Sequence, residues 1–72
     1  MSEINFSLKG EEFIDLTNLL KVLSLVNSGG EAKIRIVQEE ALLNGEVETR
    51  RRKKLRAGDV VEFDGTIIKV NE

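Results

Sequence analysis

Apolar and polar residues alternate at the start of the chain, where Ile4, Phe6 and Leu8 are separated by Asn5 and Ser7 until Lys9-Gly10-Glu11-Glu12 ends the pattern. A period of two is that of a strand with one face buried, which predicts a strand over residues 3 to 8. The period then changes. Leu16, Leu19, Leu20, Leu23 and Val26 keep the i, i+3, i+4, i+7 spacing of an amphipathic helix. A first helix is predicted over about residues 16 to 25, with Asp15 or Thr17 available as its N-cap. Its leucine stripe reads as core, because a chain this small needs every such side chain inside.

Asn27-Ser28-Gly29-Gly30-Glu31 reads as a break followed by a second helix start, with Ser28 and Glu31 at the spacing of a capping box. In that motif the Ser28 hydroxyl accepts from the Glu31 N–H, and the Glu31 carboxylate returns to the Ser28 N–H. The helix should run to about Gln38 or Glu39. Its apolar residues, Ala32, Ile34, Ile36 and Val37, form no single stripe. Lys33 and Arg35 fall about 200° apart around it, so they cannot both face one ligand squarely.

Two Asx-Gly dipeptides then predict hairpins. Asn44-Gly45 sits between Ala41-Leu42-Leu43 and Val47, and Asp64-Gly65 joins Val60-Val61-Glu62-Phe63 to Thr66-Ile67-Ile68-Lys69-Val70. Both favour a type I′ turn, which needs φ > 0 at its two central residues. A two-residue loop in the second hairpin places Phe63 opposite Thr66 and Val61 opposite Ile68, so Val61, Phe63, Ile68 and Val70 share a face. Two helices with two hairpins make this a chain of the α+β class. Residues 1 to 72 read as a single domain.

Charge changes this picture at one place. Arg50-Arg51-Arg52-Lys53-Lys54-Leu55-Arg56 holds six of the eleven basic residues of a chain whose net charge is −2. Residues 1 to 32 and 57 to 72 each stand at −3, leaving +4 for the middle, where Lys33, Arg35 and the run face only Glu39, Glu40, Glu46 and Glu48. Such asymmetry points to contact with a polyanion or an acidic surface. The run lies between the two hairpins, where a loop or strand end would expose it.

Other chemistry is scarce. The chain has no Cys and no His, hence no disulfide, thiolate nucleophile or usual zinc ligand, and no imidazole for proton transfer. No cofactor or metal site is implied, because no phosphate-loop, dinucleotide or metal-ligand spacing is present. Glu39-Glu40 and the group Asp59, Glu62 and Asp64 are the carboxylate groupings to weigh for catalysis. Acid–base work needs a perturbed pKa in a cleft that a chain of this size has little room to form. No apolar stretch approaches the roughly 20 residues of a membrane span, and the start lacks a basic secretion signal, so a cytoplasmic protein with no membrane contact is expected.

Taken at their spacings, Leu16, Leu20, Ser24-Leu25, Ser28, Gly29, Ala32, Lys33, Ile36, Glu39, Leu43, Asn44-Gly45 and the later Gly58-Asp59 resemble the S-four (alpha-L) RNA-binding domain. The small stand-alone bacterial proteins of YbcJ type are the most similar group, sharing a Ser-Gly-x-x-Ala-Lys-Ile segment (Ser28 to Ile34) and a Glu-Thr-Arg-x-Arg segment (Glu48 to Arg52). The resemblance implies a two-helix alpha-L motif packed on a small, mostly antiparallel sheet with two hairpins, with the second helix and neighbouring strand ends facing RNA. Three positions depart from the family pattern: Gly29 stands where many members place an RNA-contacting arginine, Asp15 at another basic position, and Glu39 where a glycine is usual. RNA contact is therefore expected to shift toward Lys33 and the Arg50 to Arg56 run.

The functional expectation is a non-enzymatic protein that binds structured RNA, ribosomal or transfer, and no small-molecule substrate. Its candidate contacts are Lys33, Arg35, Arg50, Arg51, Arg52, Lys53, Lys54 and Arg56, meeting phosphates by charge. With no Trp or Tyr and only Phe6, Phe13 and Phe63, the chain is expected to lack an aromatic platform for unpaired bases, which favours recognition by backbone and shape. The alternative is a protein-interaction adaptor that grips an acidic partner with the same basic segment.

Overall fold

A computed structural model describes residues 2–72. In chain order its elements are β1 (Ser2–Ser7), β2 (Ile14–Asp15), α1 (Leu16–Val22), α2 (Gly29–Val37), β3 (Ala41–Leu43), β4 (Glu46–Val47), β5 (Lys54–Leu55), β6 (Val60–Phe63) and β7 (Thr66–Asn71). The two Asx-Gly turns organise the larger sheet. Asn44, Gly45, Asp64 and Gly65 have φ of 51°, 87°, 54° and 75°, the left-handed pair that a type I′ turn demands. The resulting register pairs Val61 with Ile68 and Phe63 with Thr66, as the two-residue loop predicts. Val61, Phe63, Ile68 and Val70 are fully buried, in one core with Leu16, Leu19 and Leu20 of α1 and Ala32 and Ile36 of α2.

The sheet runs β1-β7-β6-β3-β4. All its pairs are antiparallel except β1 with β7, which is parallel and brings Ile4 beside Ile68 and Phe6 beside Val70. Local pattern predicts the strand but not its partner, since the two pairing segments stand at opposite ends of the chain. A second, two-stranded sheet joins β2 to β5 antiparallel. Two residues show no periodicity, and this ladder left no trace in the pattern.

Both helices begin where the capping residues place them. Asp15, not Thr17, caps α1, its carboxylate accepting from the Asn18 backbone at 2.8 Å and from the Asn18 side chain at 2.8 Å. Ser28 caps α2 by accepting from the Glu31 N–H at 3.1 Å. The return bond of the expected capping box falls one residue earlier: the Glu31 carboxylate accepts from the Asn27 N–H at 2.8 Å.

The helix ends are tighter than predicted, because each helix closes in a left-handed cap. Ser24 (φ 59°) and Glu39 (φ 66°) occupy the positive-φ position. Ser24 N–H donates to Lys21 O and Leu25 N–H to Leu20 O, while Glu39 N–H donates to Ile36 O and Glu40 N–H to Arg35 O. This is the paired hydrogen bonding of a Schellman motif, built without the glycine that usually closes it. It stops α1 at Val22, short of the expected residue 25, yet the turn still delivers Val26 to the core. Left-handed backbone costs a residue with a Cβ about 1–2 kcal/mol. Part of that is returned because glycine loses more freedom on folding. We therefore expect Ser24→Gly with Glu39→Gly to stabilise the fold by about 1 kcal/mol, raising Tm by roughly 4–8 °C in a melt followed by circular dichroism.

Candidate nucleic-acid interface

The basic run is a braced turn rather than a free loop. Lys53 N–H donates to Arg50 O at 3.1 Å, closing a turn with Arg51 and Arg52 at its tip. Thr17 holds that tip against the start of α1: its N–H and its hydroxyl both donate to Arg51 O, at 3.1 and 2.8 Å. Leu16 N–H donates to Lys53 O at 3.0 Å, and the β2–β5 ladder continues the seam by pairing Asp15 with Lys54 and Ile14 with Leu55. Leu55, the one apolar residue in the run, is fully buried.

The two flanks of the turn are tied by acids. On the N-terminal side Glu48 is only 7% exposed. Its carboxylate accepts from the Arg50 backbone N–H and Nε, both at 2.9 Å, and from Arg50 Nη2 at 3.2 Å. These charge-assisted bonds outweigh burial and hold the Glu48 carboxyl below the usual carboxylate range, while the same pairing raises the Arg50 guanidinium above its ordinary value. Arg50 is thus committed to Glu48 along one edge and open to solvent on the other. Glu48 and Arg50 are two residues apart, and in extended chain that spacing puts both on one side, which is the signal the sequence offered for this pair. On the C-terminal side the Asp59 carboxylate accepts from Arg56 N–H at 2.8 Å and from Asn44 Nδ2 at 3.1 Å, while Asn44 Oδ1 accepts from Val60 N–H at 2.9 Å. Asn44 and Asp59 thereby clamp the first hairpin turn to the end of the basic segment.

Arg51 and Arg52 line an open cleft of about 350 Å³ with Asp15, Thr17, Asn18 and Gly29, so the turn stands beside the N-termini of both helices. A Cβ on Gly29 would meet only the Thr17 methyl, at an ordinary 3.9 Å. The cleft has room for a side chain there, and its cations come from the turn instead. Lys33 follows Gly29 by four residues, one helical turn along the same face, and is exposed with no ion pair among the described residues. Lys53 is half-buried, and Lys54 and Arg56 are exposed.

Arg35 is placed elsewhere. Its guanidinium lies 4.4 Å from the centroid of the Phe63 ring and pairs with Glu40 at 2.9 Å, Asp64 at 3.4 Å and Glu31 at 3.8 Å. These partners, the Glu40 hydrogen bond first, hold its pKa above the ordinary value. Arg35 fastens α2 to the second hairpin on the flank away from Lys33, as the 200° separation implied.

Phe13 is the most exposed of the three phenylalanines, at 38%. Its ring carries the Lys54 ammonium 4.8 Å and the Arg56 guanidinium 5.7 Å from the centroid. Phe63 lies in the core and Phe6 packs against it, while Phe13 flanks the two-residue β2 and leaves a single ring, not a platform of several, at the surface.

The sequence profile of the S4 domain matches residues 6–71. The chain belongs to the S4 domain family. It is 40% identical over 65 residues to "Putative RNA-binding protein YbcJ" of Escherichia coli (strain K12), covering 90% of this chain and 93% of that protein. It is 44% identical over 54 residues to "Probable ribosome maturation protein RlbA" of Bacillus subtilis (strain 168), covering 75% of this chain and 76% of that one. The solution structure of YbcJ from E. coli, reported to reveal an alfaL motif involved in RNA-binding, superposes with a TM-score of 0.72 at 38% identity, over 94% of this chain and 86% of that one. The S4 fold is thus common to both proteins: two helices and a mostly antiparallel sheet. The S4 positions at which this chain departs from the family pattern now have structural meanings. Glu39 supplies a left-handed helix cap without glycine, Asp15 is the α1 N-cap, and Gly29 forms the wall of the cleft that Arg51 and Arg52 line.

Proposed function

We propose that residues 1–72 act as a single RNA-binding domain without catalytic activity, docking on structured RNA in the cytoplasm through the cleft between the basic turn and the helix N-termini. The observation that carries this reading is the bracing of the Arg51–Arg52 turn against Thr17, which prepays the ordering of two arginines beside Gly29. Arg51, Arg52, Lys53, Lys54, Arg56 and Lys33 meet phosphates, and Arg50 contributes by the edge that Glu48 leaves free. Arg35, held by three acids, takes no part. The names of the relatives support RNA as the ligand, and that of RlbA favours ribosomal over transfer RNA.

Charge sets the mode of binding. The net charge of −2 gives no long-range attraction, and screening at physiological salt reaches only about 8 Å, so affinity must come from cations placed against phosphates. Shape and 2′-hydroxyl contacts then distinguish A-form RNA from DNA. Competition at equal salt tests this. A folded RNA hairpin should displace labelled RNA at a concentration at least several-fold below that of a DNA duplex of the same length. Equal displacement would leave only generic polyanion affinity, and failure of the labelled RNA itself to bind would favour an acidic protein partner.

A further inference from the structure

The outer face of the β2–β5 ladder carries an aromatic ring, Phe13, that phosphate binding by Lys54 and Arg56 leaves without a role. Side chains alternate along a strand, so Lys54 and Arg56 lie on the side opposite buried Leu55, and Phe13 and Asp15 on the side opposite Ile14. The pairing of Asp15 with Lys54 sets Phe13 level with Arg56, just past the end of the ladder. Asp15 also lines the cleft beside Arg51 and Arg52, so this face is continuous with the proposed phosphate path. On its far side Arg56 borders a groove lined by Glu11, Glu12 and Glu72, whose charges close the path to further phosphates.

We propose that Phe13, with Lys54 and Arg56 beside it, is a stacking seat for one unpaired base of the bound RNA, the two cations taking the phosphates on either side. The proposal rests on the RNA-binding reading above and adds a single-stranded nucleotide to it. Relative strengths favour the exchange: a cation over an exposed ring is worth roughly two- to fivefold in binding, whereas a base stacked on an aromatic ring is worth about 5- to 150-fold. A cation that leaves the ring for a phosphate, making way for a base, therefore gains on both counts.

The test uses a blunt RNA hairpin and the same hairpin carrying a short oligoadenosine tail. The wild-type protein should bind the tailed hairpin about tenfold more tightly, a difference of about 1.4 kcal/mol. Phe13→Leu should remove that advantage and leave blunt-hairpin affinity unchanged, with a cooperative unfolding transition retained in a denaturant melt. Phe13→Trp should keep it, and because the chain has no Trp or Tyr of its own, the introduced indole reports stacking directly by quenching with the tailed RNA only. Equal affinity of the wild type for both hairpins, or a tail advantage that survives Phe13→Leu, overturns the seat while leaving RNA binding intact. Failure to bind either hairpin overturns the functional reading itself, and the seat with it.

Discussion

Arg51→Glu with Arg52→Glu is expected to reduce affinity for a folded RNA hairpin by at least two orders of magnitude, whereas Lys9→Glu with Lys69→Glu, an equal change in net charge, should alter it by no more than a few-fold. The difference is one of position. Arg51 and Arg52 line the cleft against Gly29, while Lys69 is engaged with Glu3 at 3.1 Å on the sheet and Lys9 stands in the turn after β1. If the six cations assigned to phosphates all make contact, log affinity should fall with log salt at a slope of roughly −4 to −5.5, each lost contact reducing the slope by about 0.7 to 0.9 between the single-strand and duplex coefficients. The tip residues are the right ones to reverse. Arg50 is not, because its loss would strand the buried Glu48 carboxylate and confuse unfolding with loss of contact. Arg51 and Arg52 are exposed and engage the rest of the fold chiefly through the Arg51 carbonyl, which the substitution keeps. Their reversal should leave stability within about 0.5 kcal/mol. Salt titrations of both double variants decide the matter, and equal losses would remove the turn from the interface.

Leu55→Ala should have the largest effect on stability. The side chain is fully buried, and deleting a core leucine to the β-carbon costs about 2–5 kcal/mol. A single core of this size seldom yields more than about 3–5 kcal/mol, so the variant should be substantially unfolded at 25 °C without denaturant. Leu55→Met, which nearly conserves volume, should lose less than about 1.5 kcal/mol. Because Leu55 anchors the turn that faces RNA, hairpin RNA should refold part of the Leu55→Ala population by mass action, its midpoint rising with RNA concentration. Denaturant melts with and without the hairpin read both effects. A Leu55→Ala variant as stable as the wild type would mean that the basic segment is not fastened to the core.

What the chain determined by itself is whatever depends on neighbours in sequence. The alternation from Ile4 to Leu8, the leucine stripe of α1, the Ser28 cap and the two Asx-Gly turns are each written within a few residues, and each appears close to its predicted place. The register of the second hairpin followed from loop length alone, and the basic run was visible as a cluster of charge. The family pattern was legible for the same reason, as residue types at fixed short spacings, although its functional meaning at Gly29 and Glu39 was not. Tertiary structure decided what depends on residues far apart in the chain. It set β1 beside β7, joined the two-residue β2 to β5, and brought Thr17 to Arg51 across 34 positions. Those contacts separate cations that look alike in sequence. Arg35 is spent on Glu40, Asp64 and Phe63, Arg50 half on Glu48, and Arg51 and Arg52 face an open cleft. A charge in a sequence carries no direction. Only the packed fold, through the backbone each side chain stands on and the acids it meets there, determines which charges remain free to bind.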